Sequence, residues 1–262
     1  MALTPLLGQD DPAPVGVRNG ESQSPFFFIC DHAGNAVPSA LNGLGLPRGE
    51  LDRHIGYDIG ILSVTEQLAD FLGAPLVFQR YSRLVVECNR RLTAPDSIAL
   101  VSDSTAVPGN AGLDPVARET RIRAIAEPYH REIVSRLDKR KSAGMQTILI
   151  SMHSFTPSLL ARPSPRPWQI GLCYGPDQRF SRSLLEVLDR DPTLNVGRNE
   201  PYDVDMERSY SIPVHGEERG LPYAEVEIRQ DLITLPAGQK SWAERMMRVL
   251  RQAHSAFMES AH

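Results

Sequence analysis

The sequence lacks the features that mark several large classes of protein. Its three cysteines, Cys30, Cys88 and Cys173, are far apart and form no CxxC pair. Isolated cysteines in an odd number give no disulfide framework and favour a reducing compartment, so we predict a cytoplasmic protein. No apolar run reaches the length that crosses a membrane, and the first residues lack the basic and then apolar order of a secretion signal.

An excess of charge of one sign is also missing. Lysine and arginine total 28 against 32 acidic residues, for a net charge of −4, and the basic residues are scattered. This balance argues against binding to nucleic acid or to an anionic membrane. The Pro-, Gly- and Asp-rich segment 1–20 is predicted to be a flexible arm, and 21–262 to form one catalytic domain. The sequence gives no indication of oligomeric state.

Short apolar segments alternate with helical patterns along the chain. This alternation favours an α/β fold with a mostly parallel sheet covered on both faces, and ligands gather beyond the carboxyl ends of such strands. The segment 92–112 is predicted to be a long loop. Strands are predicted at 25–30, 75–79, 84–88, 146–152, 169–174, 194–198 and 223–229, and helices at 58–72, 114–142 with a break at Pro128, 179–188 and 241–258.

Two histidines follow predicted strands. His32 comes directly after the first buried strand and His153 directly after the central one, so the two imidazoles could share a metal ion. Alternatively, each histidine caps its strand end through hydrogen bonds. Asp58 is the preferred third ligand, although it could instead cap the helix that follows. Asn35 and His54 are weaker candidates.

The predicted strand 84–88 is flanked by polar residues that could bind a carboxylate substrate. Arg83 precedes this segment, and Asn89 and Arg90 follow it. An arginine beside an amide can recognise a carboxylate in a bidentate manner. A salt bridge that closes a strand end is the alternative for either arginine.

The late strand 223–229 carries charges on one side. Alternation places Glu225, Glu227 and Arg229 on one face, opposite Val226 and Ile228. A buried carboxylate is costly unless it is paired or used, and Glu227 could deprotonate a metal-bound water. An internal ion pair, with Arg229 neutralising Glu225, is the alternative.

Taken together, these segments resemble the N-formylglutamate amidohydrolase family. The resemblance rests on blocks that run from Cys30 to Arg229: CDHAGNAVP, the aspartate of HIGYDIG, RYSRLVVECNR, SMHSFTP, NEPY and HGEERGLPYAEVEIR. It implies a three-layer α/β/α sandwich of the phosphorylase/hydrolase-like type, with a mixed, mostly parallel sheet similar to that of zinc carboxypeptidases.

The resemblance also implies a role for each matching residue. One Zn²⁺ per chain, or another divalent metal, would be bound by His32, His153 and Asp58. Glu227 would be the general base. Arg83 would bind the carboxylate or stabilise the oxyanion, and the substrate-binding residues would be Asn89, Arg90 and His215.

The implied reaction is hydrolysis of an N-formyl- or N-acyl-amino acid by zinc-activated water, with a small carboxylated amide as substrate and a place in amino-acid catabolism. The alternatives are a hydrolase of a different amide or short peptide, and a non-catalytic homologue that binds a carboxylated metabolite. The segment after NEPY departs from the family pattern. It reads DVDMERSYSIPVHGEERG, which is acidic and lacks the glycine-rich stretch of members that act on formylglutamate. The reaction class is therefore better supported than the substrate.

Overall fold

A computed structural model describes residues 5–260. Seven strands form one mixed, mostly parallel sheet in the order β1-β3-β2-β6-β9-β7-β8, in which the β1–β3 and β9–β7 pairs are antiparallel. A two-stranded hairpin, β4–β5, lies outside this sheet. The strands are β1 Val15–Arg18, β2 Phe26–Cys30, β3 Leu76–Gln79, β4 Val101–Ser102, β5 Thr105–Ala106, β6 Ile148–Phe155, β7 Ile170–Cys173, β8 Val196–Arg198 and β9 Tyr223–Arg229.

Helices cover both faces of the sheet, so the three-layer α/β/α architecture is confirmed. The helix predicted over 114–142 is divided just before Pro128 by a π-helical turn, because proline lacks the N–H that an α-helix needs. The α-helices are α1 Arg48–Leu51, α2 Ile61–Phe71, α3 Pro115–Arg121, α4 Glu127–Ser142, α5 Arg179–Leu188 and α6 Pro236–Ser260. Within residues 5–260, π turns occur at Ile122–Ala126 and Ser211–Gly216, and 3₁₀ turns occur at Ser39–Gly45, Pro95–Ser97, Pro108–Asn110, Glu217–Arg219 and Gln230–Leu232.

The two faces of the sheet are covered differently. One face packs against α2, α5 and α6, and we call it the helical face. The other packs against the π turn Ile122–Ala126, α4 and segments with little regular structure, chiefly 81–113 and 204–219, and we call it the irregular face. Because side chains alternate along a strand, Met152 and Val226 belong to the helical face, whereas their neighbours His153 and Glu227 point the other way.

Part of the segment predicted to be a flexible arm is an ordered strand. β1 pairs antiparallel with β3, and Gly16 lies so close to Phe78 that a Cβ there would be 2.1 Å from the phenyl ring. The prediction is therefore wrong for Val15–Arg18, because pairing with a partner distant in sequence outweighs a local composition typical of loops. Residues 1–4 lie outside the described residues.

Two further predictions are corrected. The segment 84–88 is buried but consists of turns, because its apolar side chains pack on the irregular face instead of in the sheet. The central strand does not end at Met152: β6 continues through Phe155, which pairs with Arg229 of β9. The predicted loop 92–112 contains the β4–β5 hairpin.

Within residues 5–260, none of the helices combines the length and apolar character needed to span a bilayer.

Candidate metal centre and active site

Three elements bring the candidate ligands together on the irregular face. His32 follows the carboxyl end of β2, His153 lies within β6, and Asp58 precedes α2. Asp58 does not cap α2, because the N-cap position is Gly60, which has a left-handed φ of 80°. A Cβ on Gly60 would lie 2.1 Å from the carbonyl oxygen of Ile233. This glycine turn leaves the Asp58 carboxylate directed at the histidines.

The three ligand atoms form a nearly equilateral triangle. His32 Nδ1 and His153 Nδ1 are 3.2 Å apart. Asp58 Oδ2 lies 3.2 Å from the first nitrogen and 2.9 Å from the second. A tetrahedral metal ion with bonds of 2.0–2.1 Å separates its ligands by about 3.3 Å. All three residues are buried, so this triangle fits a single metal ion.

The hydrogen bonds on the far sides of the rings also suit a metal. His32 Nε2 contacts the Glu87 carboxylate, and His153 Nε2 lies 3.0 Å from Ser151 Oγ and 3.3 Å from Asp31 Oδ2. Donation of the Nε2–H on each ring leaves both Nδ1 lone pairs facing the Asp58 oxygen. Strand-end capping, the alternative for the histidines, gives no reason for three acceptor atoms to converge, whereas a bound cation does.

Asp31 and Glu87 were not singled out by the sequence analysis. Although burial opposes it, the hydrogen bond with His153 lowers the pKa of Asp31 to about 2. Asp31 also accepts a hydrogen bond of 2.7 Å from Ser211 Oγ. Burial likewise opposes ionisation of Glu87, but Arg83 holds its pKa well below the usual range. The only signal available in sequence was an acidic residue beside or within an apolar run, where an unpaired carboxylate is costly.

The residues predicted to bind a carboxylate line one cavity together with His32, Asp58 and His153. Arg83 Nε donates to Glu87 Oε2 at 2.7 Å, and its Nη1 lies 3.5 Å from Asp58 Oδ1. Asn89 Oδ1 accepts a hydrogen bond of 3.0 Å from the Ser211 amide. Arg90 is held more loosely, with Nε 3.6 Å from Asp96 Oδ2 and a side chain 33% exposed. Its guanidinium is therefore available to an incoming anion.

Glu227 is the buried carboxylate that the protein leaves least satisfied. The residue is 5% exposed and its Oε2 has no hydrogen-bond partner among the described residues. Burial, reinforced by the charges of Asp58 and Glu225, raises the pKa of Glu227 to about 8. The alternative ion pair is absent here, because Arg229 instead binds Asp231, with Nε 2.8 Å from Oδ1.

A cavity of about 320 Å³ joins these groups. It is large enough for a small molecule in contact with Glu227 and with the triangle of His32, Asp58 and His153, which we call the metal triangle. Its lining includes every predicted site residue except His215: His32, Asp58, Arg83, Asn89, Arg90, His153 and Glu227.

Three other candidates fall outside the metal triangle. His215 does not line the cavity; its Nε2 lies 3.1 Å from His130 Nδ1, and burial lowers its pKa to about 3. Asn35 donates to the Leu51 carbonyl at 3.2 Å. His54 lines the cavity, but its Nε2 lies 3.2 Å from Asp103.

A family model for N-formylglutamate amidohydrolase matches residues 24–234. The chain belongs to this family. An N-formylglutamate amidohydrolase of Ralstonia eutropha JMP134 has a similar structure, with a TM-score of 0.65 and 17% identity over 93% of this chain and 98% of that one. A gene product of Agrobacterium tumefaciens is 30% identical, with a TM-score of 0.92 over 97% of this chain and 99% of that one. A search of curated proteins gave no significant match.

The matched range of the N-formylglutamate amidohydrolase family contains the whole site. It begins before His32 and ends after Glu227, so the metal triangle, the unpartnered carboxylate and the arginines all lie within it. Family membership supports an enzyme that hydrolyses an amide bond.

Proposed function

We propose that the protein is a zinc-dependent amidohydrolase that removes a formyl or other acyl group from the nitrogen of an amino acid. The observation that carries this proposal is the triangle of His32, Asp58 and His153 beside the buried, unpartnered carboxylate of Glu227. A binding protein has no use for a carboxylate that is costly to bury and has no partner. A hydrolase uses such a group as its base.

The Zn²⁺ that His32, Asp58 and His153 would hold supplies Lewis acidity, which lowers the pKa of water and polarises a carbonyl. Glu227 accepts the proton of the attacking water. With a pKa raised to about 8, its carboxylate is more basic than an exposed glutamate. The same carboxyl group then delivers this proton to the leaving nitrogen, so that a neutral amine departs.

The arginines orient the substrate. Arg90, with Asn89 beside it, binds the free carboxylate of the amino acid and so fixes the amide relative to Glu227. Arg83 is anchored by Glu87 and Asp58, which places a fixed positive charge on the cavity wall where the amide oxygen becomes negative. Hydrolysis of a different amide or of a short peptide would use the same groups and remains the alternative.

We also retain a cytoplasmic location as a proposal. Cys30, Cys88 and Cys173 are all unpaired and buried, which suits a reducing compartment.

The test combines metal content with formate release. Purified wild type should contain about one zinc per chain and should release formate from N-formyl-L-glutamate or from another N-formyl-amino acid. His153→Ala should lose both the metal and the activity. His254→Ala is the matched control, because His254 lies on α6 outside the cavity, and it should keep both.

The possible results separate the proposals. Zinc without formate release from any N-formyl-amino acid would move the search to longer acyl groups and short peptides. Failure to bind metal, even after zinc or manganese is supplied, would overturn the hydrolytic mechanism and favour a protein that only binds its ligand.

A further inference from the structure

A second cavity of about 410 Å³ adjoins the one that contains the metal triangle. His54, Arg83, Arg90 and Tyr202 line both cavities, so these four side chains form the boundary between them. Neither the metal ligands nor Glu227 lines the second cavity. It is therefore a neighbouring compartment in which no bond is broken.

The walls of the second cavity are fixed by a buried carboxylate. Asp103, in the tight turn of the β4–β5 hairpin, accepts hydrogen bonds from the amides of Leu160 and Ala161 at 3.1 and 2.8 Å. Arg53 Nη2 also donates to Asp103, at 3.3 Å. The side chain of Asp103 is only 4% exposed. These hydrogen bonds tie the hairpin to the loop after β6, so the walls of the second cavity are held in place.

The position of Arg90 decides which part of a substrate enters. When Arg90 holds the carboxylate of an N-acyl-amino acid at this boundary, the amide of the same molecule is directed to Glu227 and the metal triangle, inside the first cavity. The acyl group then also lies in the first cavity. The second cavity, on the other side of this boundary, is then the space open to the remaining substituent of the amino acid, its side chain.

The chemistry of the second cavity favours an apolar side chain. Its inner charges are already occupied: Arg83 binds Glu87, Asp103 is held as described, and Arg90 is used by the substrate carboxylate. Arg162 lies at the rim and is exposed. Five apolar side chains line this cavity and not the first: Ile55, Leu84, Ala99, Leu159 and Ala161.

We propose that the second cavity is the specificity subsite for the amino-acid side chain, and that it selects a large apolar side chain over that of glutamate. This inference rests on the proposed function. Burying an aromatic side chain in such a cavity is favourable, whereas a γ-carboxylate would meet only the exposed Arg162, and an ion pair with an exposed guanidinium contributes little.

The experiment compares three substrates. Wild type should cleave N-formyl-L-phenylalanine with a higher kcat/KM than N-formyl-L-glutamate or N-formylglycine. Ala161→Trp fills the subsite from an exposed loop and should lower the ratio of kcat/KM for N-formyl-L-phenylalanine over N-formylglycine by about tenfold or more. Val116→Trp, on an exposed helical position outside both cavities, should leave this ratio unchanged.

Binding to the Glu227→Gln variant separates this inference from the proposed reaction. Calorimetry should show tighter binding of N-formyl-L-phenylalanine than of N-formyl-L-glutamate, and adding Ala161→Trp should remove the difference. If this binding pattern occurs but wild type releases no formate, the subsite stands and the proposed reaction fails. Equal binding, a preference for glutamate, or a substrate ratio unaffected by Ala161→Trp would overturn the subsite.

Discussion

The helical and irregular faces of the sheet differ in what they bury. Against the helical face, α2, α5 and α6 pack a continuous apolar core. The irregular face also has an apolar core, but beside it lie buried ionisable groups that include Asp31, Glu87 and Glu227. Regular helices gain stability by burying an apolar stripe. Turns can direct single polar side chains inward, and here they hold the arginines around the metal triangle.

Neighbouring residues of a single strand contribute to opposite faces of the sheet. In β6, Met152 packs into the helical-face core, while the next residue, His153, joins the metal triangle. In β9, Val226 and Glu227 divide in the same way. The apolar face therefore fixes the strand, and the strand fixes the candidate site residue on its other side. This division predicts that damage to the irregular face alters chemistry more than stability, and that damage to the helical face does the reverse.

Glu227→Gln should produce the largest effect. Removing the general base while keeping the side-chain volume should lower kcat by about 10²–10⁴-fold. The metal content should not change, because Glu227 is not part of the triangle. Steady-state kinetics and metal analysis measure the two quantities. A variant with wild-type kcat would show that Glu227 is not the base.

The same variant should stabilise the metal-free protein at high pH. The pKa of Glu227 rises from an ordinary 4.5 to about 8 on folding, so its contribution to the free energy of unfolding falls as pH rises from 4.5 to 8. Below that range, wild type and Glu227→Gln should be similar. Above it, the variant should be more stable by up to about 5 kcal/mol. Urea unfolding at pH 5 and pH 9 tests this. If wild type and Glu227→Gln differ in free energy of unfolding by the same amount at both pH values, the buried environment assigned to Glu227 is wrong.

Leu68→Ala and Asn110→Ala compare the two faces directly. Leu68 is fully buried on the helical face, and its truncation should cost about 2–5 kcal/mol of stability without changing KM. Asn110 donates to the carbonyls of Leu84 and Ala99 at 2.9 and 2.7 Å, and accepts from Arg121.

Removing the Asn110 amide should cost about 1–3 kcal/mol. It should also raise KM, because Asn110 anchors the segment that carries Arg90. Urea unfolding and steady-state kinetics on both variants measure these effects. A larger rise in KM for Leu68→Ala than for Asn110→Ala would contradict the division of roles.

Asp31→Asn should have a smaller effect, on metal affinity. The substitution removes the charge that accepts the His153 Nε2–H, and loss of such a partner lowers metal affinity about 10–100-fold. Competition with a chromophoric chelator measures this affinity. Asp70→Asn, which removes a surface acid paired with Arg18, is the control and should leave it unchanged. Equal affinities in the two variants would show that Asp31 does not support the ligand.

The regular elements were the most accessible to sequence reasoning. α5 and β9 occupy Arg179–Leu188 and Tyr223–Arg229, the ranges predicted, because strong periodicity is a local property. The turns at 84–88 were mistaken for a strand because both conformations bury apolar side chains. The contact of Glu87 with His32 was missed because it depends on how those turns fold back. Spacing alone also left Asp58 open between ligand and N-cap. The structure removes the second alternative, because Gly60 occupies the N-cap position.

The proposed chemistry depends on one metal ion held on the irregular face between His32, Asp58 and His153. Anomalous diffraction at the zinc absorption edge, on crystals of zinc-loaded protein, would locate this ion. We expect one strong peak within bonding distance of both Nδ1 atoms and of Asp58 Oδ2. The absence of a peak there, or a peak bound by other residues, would contradict this expectation.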